Sequence, residues 1–526
     1  ISRSAKCSKE KSKNSVFLNI VKIINRTAIQ NHLKLSKTAI FSLLLIAYML
    51  TVRVLLIFSY NLDLDGAEFT FVHYLQQLLS GNPLYLNPES HPYSAVIYAP
   101  ANLYLAYYTS RLFHQDYIHD IHTLYILGRS ISFVFVLLCI YYVWQFSKRY
   151  TEDKNTQIIS VCLFLLLLTG HAYAFRPDSM KIAFFIGFMY YYISYFYFDK
   201  NKKNAFLFLL FTLLSVLSKQ DVVIYVMLIH FANFCVQRTI EIVLFCLLSA
   251  ASIAILFLLL HLLFGPYCLV SLFDFNLQVI SNVTKSYNLI VVICNAIRLF
   301  PLYLILIYLL IHAKHTKDAA LLTMLCIAGL LSAFLSSFFL FRPGSFLNYT
   351  YEHISIIIFA IVFFIISVKN KPKYGNLYIG YTIVLLFCGL IVKSYLVSLK
   401  NENGFKARYF ELEKLRKDVL PYLNNNEAVF PANIELCLFI ADKNVVYGHE
   451  YHIDRALYAN FGLTATSRLM HINSKPYDDK FKNGEIPYLL YINKETTNKV
   501  VAEYYPNYRE FQKPGNYILA KFQPLQ

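Results

Sequence analysis

Apolar runs long enough to cross a lipid bilayer recur along most of this sequence, and they constrain the fold more than any other feature. About 20 apolar residues in one helix span the hydrocarbon layer, so each run is a candidate transmembrane helix. Only 15% of the residues are charged and 57% are hydrophobic, whereas a soluble domain has about a quarter charged. We therefore predict a mainly α-helical, polytopic membrane protein with about 11 transmembrane helices. The runs cover residues 38–58, 124–146, 157–174, 179–198, 205–217, 222–237, 242–264, 289–312, 319–341, 352–368 and 376–397.

The basic residues indicate how these helices are oriented. The net charge is +17 at pH 7, but Lys and Arg form short clusters between the apolar runs, unlike the continuous basic surface that binds nucleic acid. Cytoplasmic loops of membrane proteins are enriched in these residues. All clusters fall on one side if the basic tail 1–37 is cytoplasmic and residues 94–113 lie in the membrane interface without crossing. Eleven crossings then place residues 398–526 outside the cytoplasm, and nucleic acid is not an expected partner.

The composition divides the chain into three parts. After the tail 1–37, residues 38–397 form the membrane domain, which includes a long outer loop at 59–123. Residues 398–526 are rich in charged side chains and contain no run that approaches a membrane span, so we predict a small soluble α/β domain there. Within it we expect a helix at 406–422 and strands near 427–431, 444–447, 487–492 and 516–521.

Three carboxylates follow the first apolar run directly: Asp63, Asp65 and Glu68. Glu68 lies three residues after Asp65, so the two face the same way if this segment is helical. Placing a carboxylate beside hydrocarbon costs free energy, so such residues indicate a functional site. The group is therefore a candidate for proton transfer. The alternative is a negatively charged helix start that interacts favourably with the helix dipole.

Single cations accompany these carboxylates on the predicted outer face. Arg176 precedes a Pro-Asp pair, Lys219 precedes a Gln-Asp pair, Arg129 lies in the outer half of the second run, and Arg342 precedes the tenth. Each alone is explained by a structural ion pair or by a snorkelling side chain. Because all four converge on the membrane face that carries the carboxylates, we predict that they have a functional role there. Their neighbours are candidate substrate-binding residues: Tyr85, Tyr98, Asp178, Gln220, Asn348, Tyr349 and Glu352.

A metal site is a further hypothesis. The segment 114–122 contains three His and two Asp residues at close spacing, and these are ligand types for a divalent metal. A wet interfacial loop explains the same composition. The ten cysteines show no CxxC pairs, so a zinc ribbon or a disulfide framework is not predicted. No other cofactor is expected.

The order of these features resembles the GT-C membrane glycosyltransferases. The similar group contains protein O-mannosyltransferases, bacterial aminoarabinose transferases and lipopolysaccharide-core glycosyltransferases. The matching pieces are DLDGAEF after the first run, GNPLY, a Tyr-x-Pro segment, Gly128-Arg129, RPDS, SKQD and GSFLNYTYE. Many relatives carry an Asp-Glu dipeptide after the first span. Counting back from Gly81, Glu68 aligns with that Glu and Ala67 with that Asp, so the resemblance leaves the base open between Glu68, Asp65 and Asp63. Glu68 is the first candidate because of this spacing, Asp65 is the second and Asp63 the third.

The resemblance implies an enzyme that takes a sugar from a polyprenyl-phosphate carrier and transfers it to a glycan, lipid or protein acceptor. It further implies a bacterial inner-membrane location with the active site on the periplasmic side. A carboxylate would accept the proton of the acceptor hydroxyl, and Arg176, Lys219, Arg342 or Arg129 would bind the departing phosphate. The alternatives are a multi-pass transporter or flippase, whose intramembrane charges would line a path, and an oligosaccharide polymerase or ligase.

Overall fold

The computed structural model of this chain is mainly helical. It describes residues 35–64, 68–87, 96–113, 120–168, 174–274, 303–304, 306–311, 319–340, 351–368, 401–423, 427–431, 434–441 and 475–524, together with the single positions 293, 300, 313, 443 and 445. The helices before the C-terminal domain are α1 (Lys37–Ile57), α2 (Glu68–Leu79), α3 (Ala101–Leu112), α4 (Ile121–Tyr150), α5 (Lys154–Leu167), α6 (Pro177–Tyr197), α7 (Lys202–Ser218), α8 (Val222–Gln237), α9 (Ile240–Phe264), α10 (Pro266–Leu269), α11 (Ala319–Leu340) and α12 (Tyr351–Val368).

Polar residues between the apolar runs begin these helices. The Asp120 carboxylate accepts a hydrogen bond from the backbone N–H of Thr123 at the start of α4, and Asp153 caps α5 in the same way through Thr156. Asn201 caps α7. Such caps satisfy backbone donors that have no partner inside the helix. The starts of these helices are therefore set by residues that lie next to them in the sequence.

Nine of the eleven predicted spans coincide with helices in the described part of the chain. Four of these helices are long and apolar enough to cross a membrane: Lys37–Ile57, Ile121–Tyr150, Ile240–Phe264 and Ala319–Ser336. The predicted span 289–312 falls mostly outside the described residues, and 376–397 falls wholly outside them. Eleven crossings thus stay a prediction, whereas the described residues show a mainly helical structure with four candidate membrane spans.

Helix α3 occupies the segment that we predicted to lie in the membrane interface. It has 12 residues, which rise about 18 Å, too little to cross the hydrocarbon layer as one straight helix. One face is buried through Leu103 and Ala106, while Tyr108 and Leu112 on the rest of the helix are largely exposed. A short helix with an exposed apolar surface fits an interfacial position.

The C-terminal domain contains a four-stranded sheet with helices beside it, as the sequence predicts. Its strands are β1 (Val429–Pro431), β2 (Tyr488–Ile492), β3 (Tyr508–Gln512) and β4 (Tyr517–Phe522), and its helices are α13 (Glu402–Val419), α14 (Ile434–Phe439), α15 (Lys475–Lys482) and α16 (Glu495–Tyr504). The strand order is β1-β2-β4-β3, with β1 parallel to β2 and the other pairs antiparallel.

One detail of this domain differs from the sequence-based expectation, and another is only partly described. Of the strand expected near 444–447, Val445 is the one described residue, and it forms a parallel bridge with Val429; the other positions lie outside the described residues. Strand β3 was not predicted, because its sequence YREFQ is polar and only Tyr508 in it is buried. An edge strand with one solvated face gives a weak apolar signal.

The C-terminal domain contacts the same end of the helix bundle as the loop that follows α1. The side chain of Gln76 in α2 donates a hydrogen bond to the carbonyl of Leu438 in α14 at 3.0 Å. Glu402, the first residue of α13, accepts hydrogen bonds from Ser59 and Tyr60. The predicted outer loop and the predicted outer domain therefore lie together.

Candidate active site

Glu68 and Arg129 form a buried ion pair at this end of the bundle. Arg129 donates from Nε to Glu68 Oε1 at 2.8 Å and from Nη2 to Glu68 Oε2 at 2.7 Å, and both side chains are fully shielded from solvent. The pair joins the start of α2 to the first turns of α4. The predicted carboxylate and the predicted cation are thus direct partners, in the bidentate geometry that arginine favours with carboxylates.

Two backbone groups complete the surroundings of the Glu68 carboxylate. Oε1 also accepts from the N–H of Phe175 at 2.7 Å, and Oε2 accepts from the N–H of Leu64 at 3.2 Å. Each oxygen therefore receives two hydrogen bonds. A carboxylate that accepts four hydrogen bonds in a dry site would have to give one up before it could take a proton. This geometry favours a positioning role for Glu68.

Arg129 also binds the end of α1. Its Nη1 donates to the carbonyls of Leu56 at 3.3 Å and Ser59 at 2.8 Å, and its Nη2 donates to the carbonyl of Asn61 at 2.5 Å. One of these carbonyls belongs to the last turn of α1 and two lie in the segment that follows it. Arg129 therefore fixes the loop that leads to Asp63.

Asp63 lies in that loop and is half-buried. Its Oδ1 accepts a hydrogen bond from the N–H of Glu68 at 3.2 Å, and its own N–H donates to the Asn61 side chain at 3.1 Å. Of Asp63 and Glu68, the two described acidic residues of this motif, Asp63 is the one that is partly exposed to solvent.

A second cluster of buried charges is built around Asp178 in the first turn of α6. Asp178 Oδ2 lies 3.1 Å from Arg176 Nε, and Oδ1 lies 2.9 Å from Lys219 Nζ at the end of α7. The carboxylate is fully buried. Two residues predicted as anion-binding cations and one predicted as substrate-binding are therefore in direct contact, although Asp178 and Lys219 are 41 positions apart.

Lys181 extends this cluster, and the sequence analysis did not select it. Its Nζ lies 2.6 Å from Glu352 Oε1 at the start of α12, 3.3 Å from Asp221 Oδ2 before α8, and 3.9 Å from Asp178 Oδ1. The three cations Arg176, Lys181 and Lys219 face three carboxylates. The sequence could have indicated Lys181, because it is a lysine inside a predicted membrane span, three residues after Asp178, and charged residues within spans are rare and functional.

The short segment 174–176 joins the two clusters. The N–H of Phe175 binds Glu68, and the Arg176 side chain binds Asp178. Ser132 of α4 donates to the carbonyl of Ala174 at 2.8 Å, and Asn102 of α3 donates to the carbonyl of Arg176 at 3.4 Å. The acidic motif and the cation cluster therefore form one continuous polar region.

Tyrosine side chains lie beside this region. Arg176 Nη2 is 3.5 Å from the Tyr98 hydroxyl, and Lys219 Nζ is 5.9 Å from the centre of the Tyr98 ring. Tyr85 donates from its hydroxyl to the carbonyl of Tyr98 at 2.7 Å. Burial raises the pKa of Tyr85 well above its usual value, so this phenol remains a neutral donor.

Gln220 fastens two loops to the start of α8. Its amide nitrogen donates to the carbonyls of Ile97 and Leu272, each at 3.0 Å. The first bond holds the segment of Tyr98, and the second holds the π-helical turn Val270–Asp274 that follows α10. Gln220 thus contacts backbone carbonyls beside the charged residues, and its role in substrate binding stays a prediction.

Four predicted site residues fall outside the described part of the chain: Asp65, Arg342, Asn348 and Tyr349. Most of the predicted metal-binding segment 114–122 does so too; of its candidate ligands, only Asp120 and His122 are described. The described residues contain no group of three or more His, Cys, Asp and Glu side chains that is arranged to hold a metal ion. The roles of these residues and of a metal stay predictions.

Comparison with solved structures identifies the fold. Two structures of ArnT from Cupriavidus metallidurans are similar to this chain, one bound to undecaprenyl phosphate and one in the apo state, with TM-scores of 0.58 and 0.57. Each is 11% identical, and the matches cover 91% and 92% of this chain and 97% and 98% of the ArnT chains. The oligosaccharyltransferase of Archaeoglobus fulgidus, in complex with Zn and sulfate, gives a TM-score of 0.52 at 12% identity over 92% of this chain and 73% of its own.

No model of a known protein family matches this sequence, and no curated protein matches it. At identities near one in nine, the likeness to the solved structures reports on architecture alone. It extends over the membrane helices and the C-terminal domain together. This chain is an integral membrane protein with the GT-C fold.

Proposed function

We propose that this protein transfers a sugar from a polyprenyl-phosphate donor to a glycan, lipid or protein acceptor at the outer face of the membrane. The observation that carries this proposal is the contact of Asp178 with Arg176 and Lys219 at a helix-bundle end that also holds the acidic motif. Burying charged side chains within a membrane protein costs free energy, and such residues mark functional sites. Their combination with the GT-C fold supports glycosyl transfer over the transporter that we considered as an alternative.

The donor phosphate would bind at Arg176 and Lys219. Both cations now share Asp178, so an incoming phosphate would compete with a carboxylate of like charge for the same donors. Cations in a site of low dielectric stabilise the charge that develops on a leaving phosphate. ArnT of Cupriavidus metallidurans has been solved with undecaprenyl phosphate, which supports a polyprenyl phosphate as the carrier here.

The base would be a carboxylate of the acidic motif. Among its described members, the hydrogen bonds favour Asp63 over Glu68, because Glu68 is enclosed by four donors while Asp63 is half-buried. A base must come within hydrogen-bond reach of the acceptor hydroxyl. Asp65 belongs to the same motif and is the other candidate.

The test uses the purified full-length protein in lipid nanodiscs. Undecaprenyl phosphate serves as the binding probe, and polyprenyl-phosphate sugars extracted from the source membranes serve as donors. We expect saturable binding of the probe and release of polyprenyl phosphate from the donors, each measured with and without a chelator to test the predicted metal. A protein that neither binds the probe nor releases the carrier would refute the proposal.

A lipid-linked oligosaccharide offered as a second donor separates the proposed transferase from a polymerase or ligase. Exclusive turnover of the oligosaccharide donor would assign the protein to that alternative class.

A further inference from the structure

The loop that carries Asp63 is held by a residue of the C-terminal domain. Glu402 Oε2 accepts a hydrogen bond from the Ser59 hydroxyl at 2.5 Å, and Oε1 accepts one from the N–H of Tyr60 at 2.7 Å. Ser59 and Glu402 are 343 positions apart in the sequence. One carboxylate therefore binds two consecutive residues directly after the first membrane helix.

The Tyr60 side chain strengthens this connection. Its ring stacks on His122 with centroids 3.9 Å apart and an interplanar angle of 4°, and it meets the edge of Tyr409 at 5.3 Å. Lys406 Nζ lies 5.4 Å from the centre of the same ring. Aromatic and cation–π contacts of this kind add to the stability of the contact. Tyr60 is thus enclosed between the start of α4 and the helix α13.

The opposite side of the loop is held by Arg129, which donates to the carbonyls of Ser59 and Asn61. The Asn61 side chain in turn accepts the N–H of Asp63 at 3.1 Å. The backbone between Ser59 and Asp63 is therefore fixed by the membrane bundle on one side and by the C-terminal domain on the other.

The C-terminal domain has its own means of staying folded. Arg408 of α13 forms ion pairs with Glu411 and Glu435 inside the domain, and the four-stranded sheet has a separate apolar core around Phe430, Leu489 and Ile518. None of these interactions involves Glu402. The ion pairs of Arg408 and the apolar core hold the domain together, whereas the hydrogen bonds of Glu402 connect the domain to the loop.

We propose that Glu402 is a positioning residue through which the C-terminal domain sets the geometry of the Asp63 loop. The inference rests on the proposed function for its kinetic consequence, but the contact itself can be tested without turnover. Since small displacements of a reacting group cost up to about 100-fold in rate, we expect Glu402→Ala to lower kcat by about 10- to 100-fold. The KM for the donor and the affinity for undecaprenyl phosphate should stay unchanged, because Arg176 and Lys219 are on other elements.

The experiment compares Glu402→Ala with Glu411→Ala in the full-length protein in nanodiscs. Glu411 is a residue of the same type on the same helix, and it does not contact the loop. Hydrogen exchange of the Tyr60 amide is the direct readout, because this N–H is the one that Glu402 accepts. We expect faster exchange and a lower kcat in Glu402→Ala, and wild-type values of both in Glu411→Ala.

Each outcome separates this inference from the proposed function. Unchanged Tyr60 exchange in Glu402→Ala, or a change in KM with kcat intact, would overturn the positioning role. Absence of probe binding and of turnover in the wild-type protein would overturn the proposed function, while the exchange result would still decide whether Glu402 holds the loop. If Glu402→Ala does not fold, Glu402→Gln takes its place in both measurements, because it keeps the size of the side chain and replaces one of the two acceptor oxygens with an amide donor.

Discussion

Glu68→Gln distinguishes a structural ion pair from a catalytic base. Glutamine keeps the size of the side chain but replaces one carboxylate oxygen with an amide group that donates hydrogen bonds. The four donors around Glu68 come from Arg129, Phe175 and Leu64, so the new amide would face donors and at least two hydrogen bonds would be lost. Arg129 would also stay buried without its counter-charge.

The expected cost follows from that geometry. Removing one partner of a fully buried ion pair destabilises a protein by about 3–5 kcal/mol, and both side chains here are fully shielded. Glu411→Gln is the matched control, because its ion pair with Arg408 is partly exposed and such pairs contribute about 0–1 kcal/mol. We therefore expect a clear fall in the melting temperature of Glu68→Gln and almost none in the control.

A double-mutant cycle with Arg129→Met isolates the pair itself. If the two charges stabilise each other, the double variant should lose less stability than the sum of the single variants. Recovery should be incomplete, because Arg129 also binds the carbonyls of Ser59 and Asn61. A Glu68→Gln protein that melts like wild type but has lost most turnover would refute this reasoning and would restore Glu68 as the base.

Further predictions concern other parts of the site and the topology. Asp63→Asn should lower turnover by about 10²- to 10⁴-fold, as expected for a general base, with an unchanged melting curve; near-normal turnover would move the base to Asp65. Lys219→Ala should weaken undecaprenyl-phosphate binding by about 10- to 100-fold, the equivalent of one charge-assisted hydrogen bond, measured by titration. Lys181→Ala should lower the melting temperature, because three carboxylates lose a shared cation, and a wild-type melting curve would contradict this. Reporter fusions at Lys154 and Asn403 should report cytoplasmic and external positions respectively, and the reverse result at either site would overturn the predicted orientation.

The mainly helical architecture could be predicted from the sequence. The length of an apolar run sets whether a helix can span a bilayer, and this property belongs to consecutive residues, so nine predicted spans coincide with described helices. The short polar interruption at residues 218–221 separates α7 from α8 as a local break. A C-terminal region with a small sheet was equally predictable, since the charged composition begins abruptly after residue 397. Edge strand β3 was missed because only one of its side chains is buried.

The pairing of the candidate charges could not be predicted, because it depends on how the helices pack. Glu68 and Arg129 are 61 positions apart, and no local pattern indicates that one neutralises the other. The sequence places Lys181 within a predicted membrane span. In the structure, three carboxylates from different segments of the chain form ion pairs with it. Ion pairs depend on distances of a few ångströms between elements that are remote along the chain, and burial multiplies their strength. The sequence therefore supplied the charged residues, and the packing of the helices assigned each one its partner.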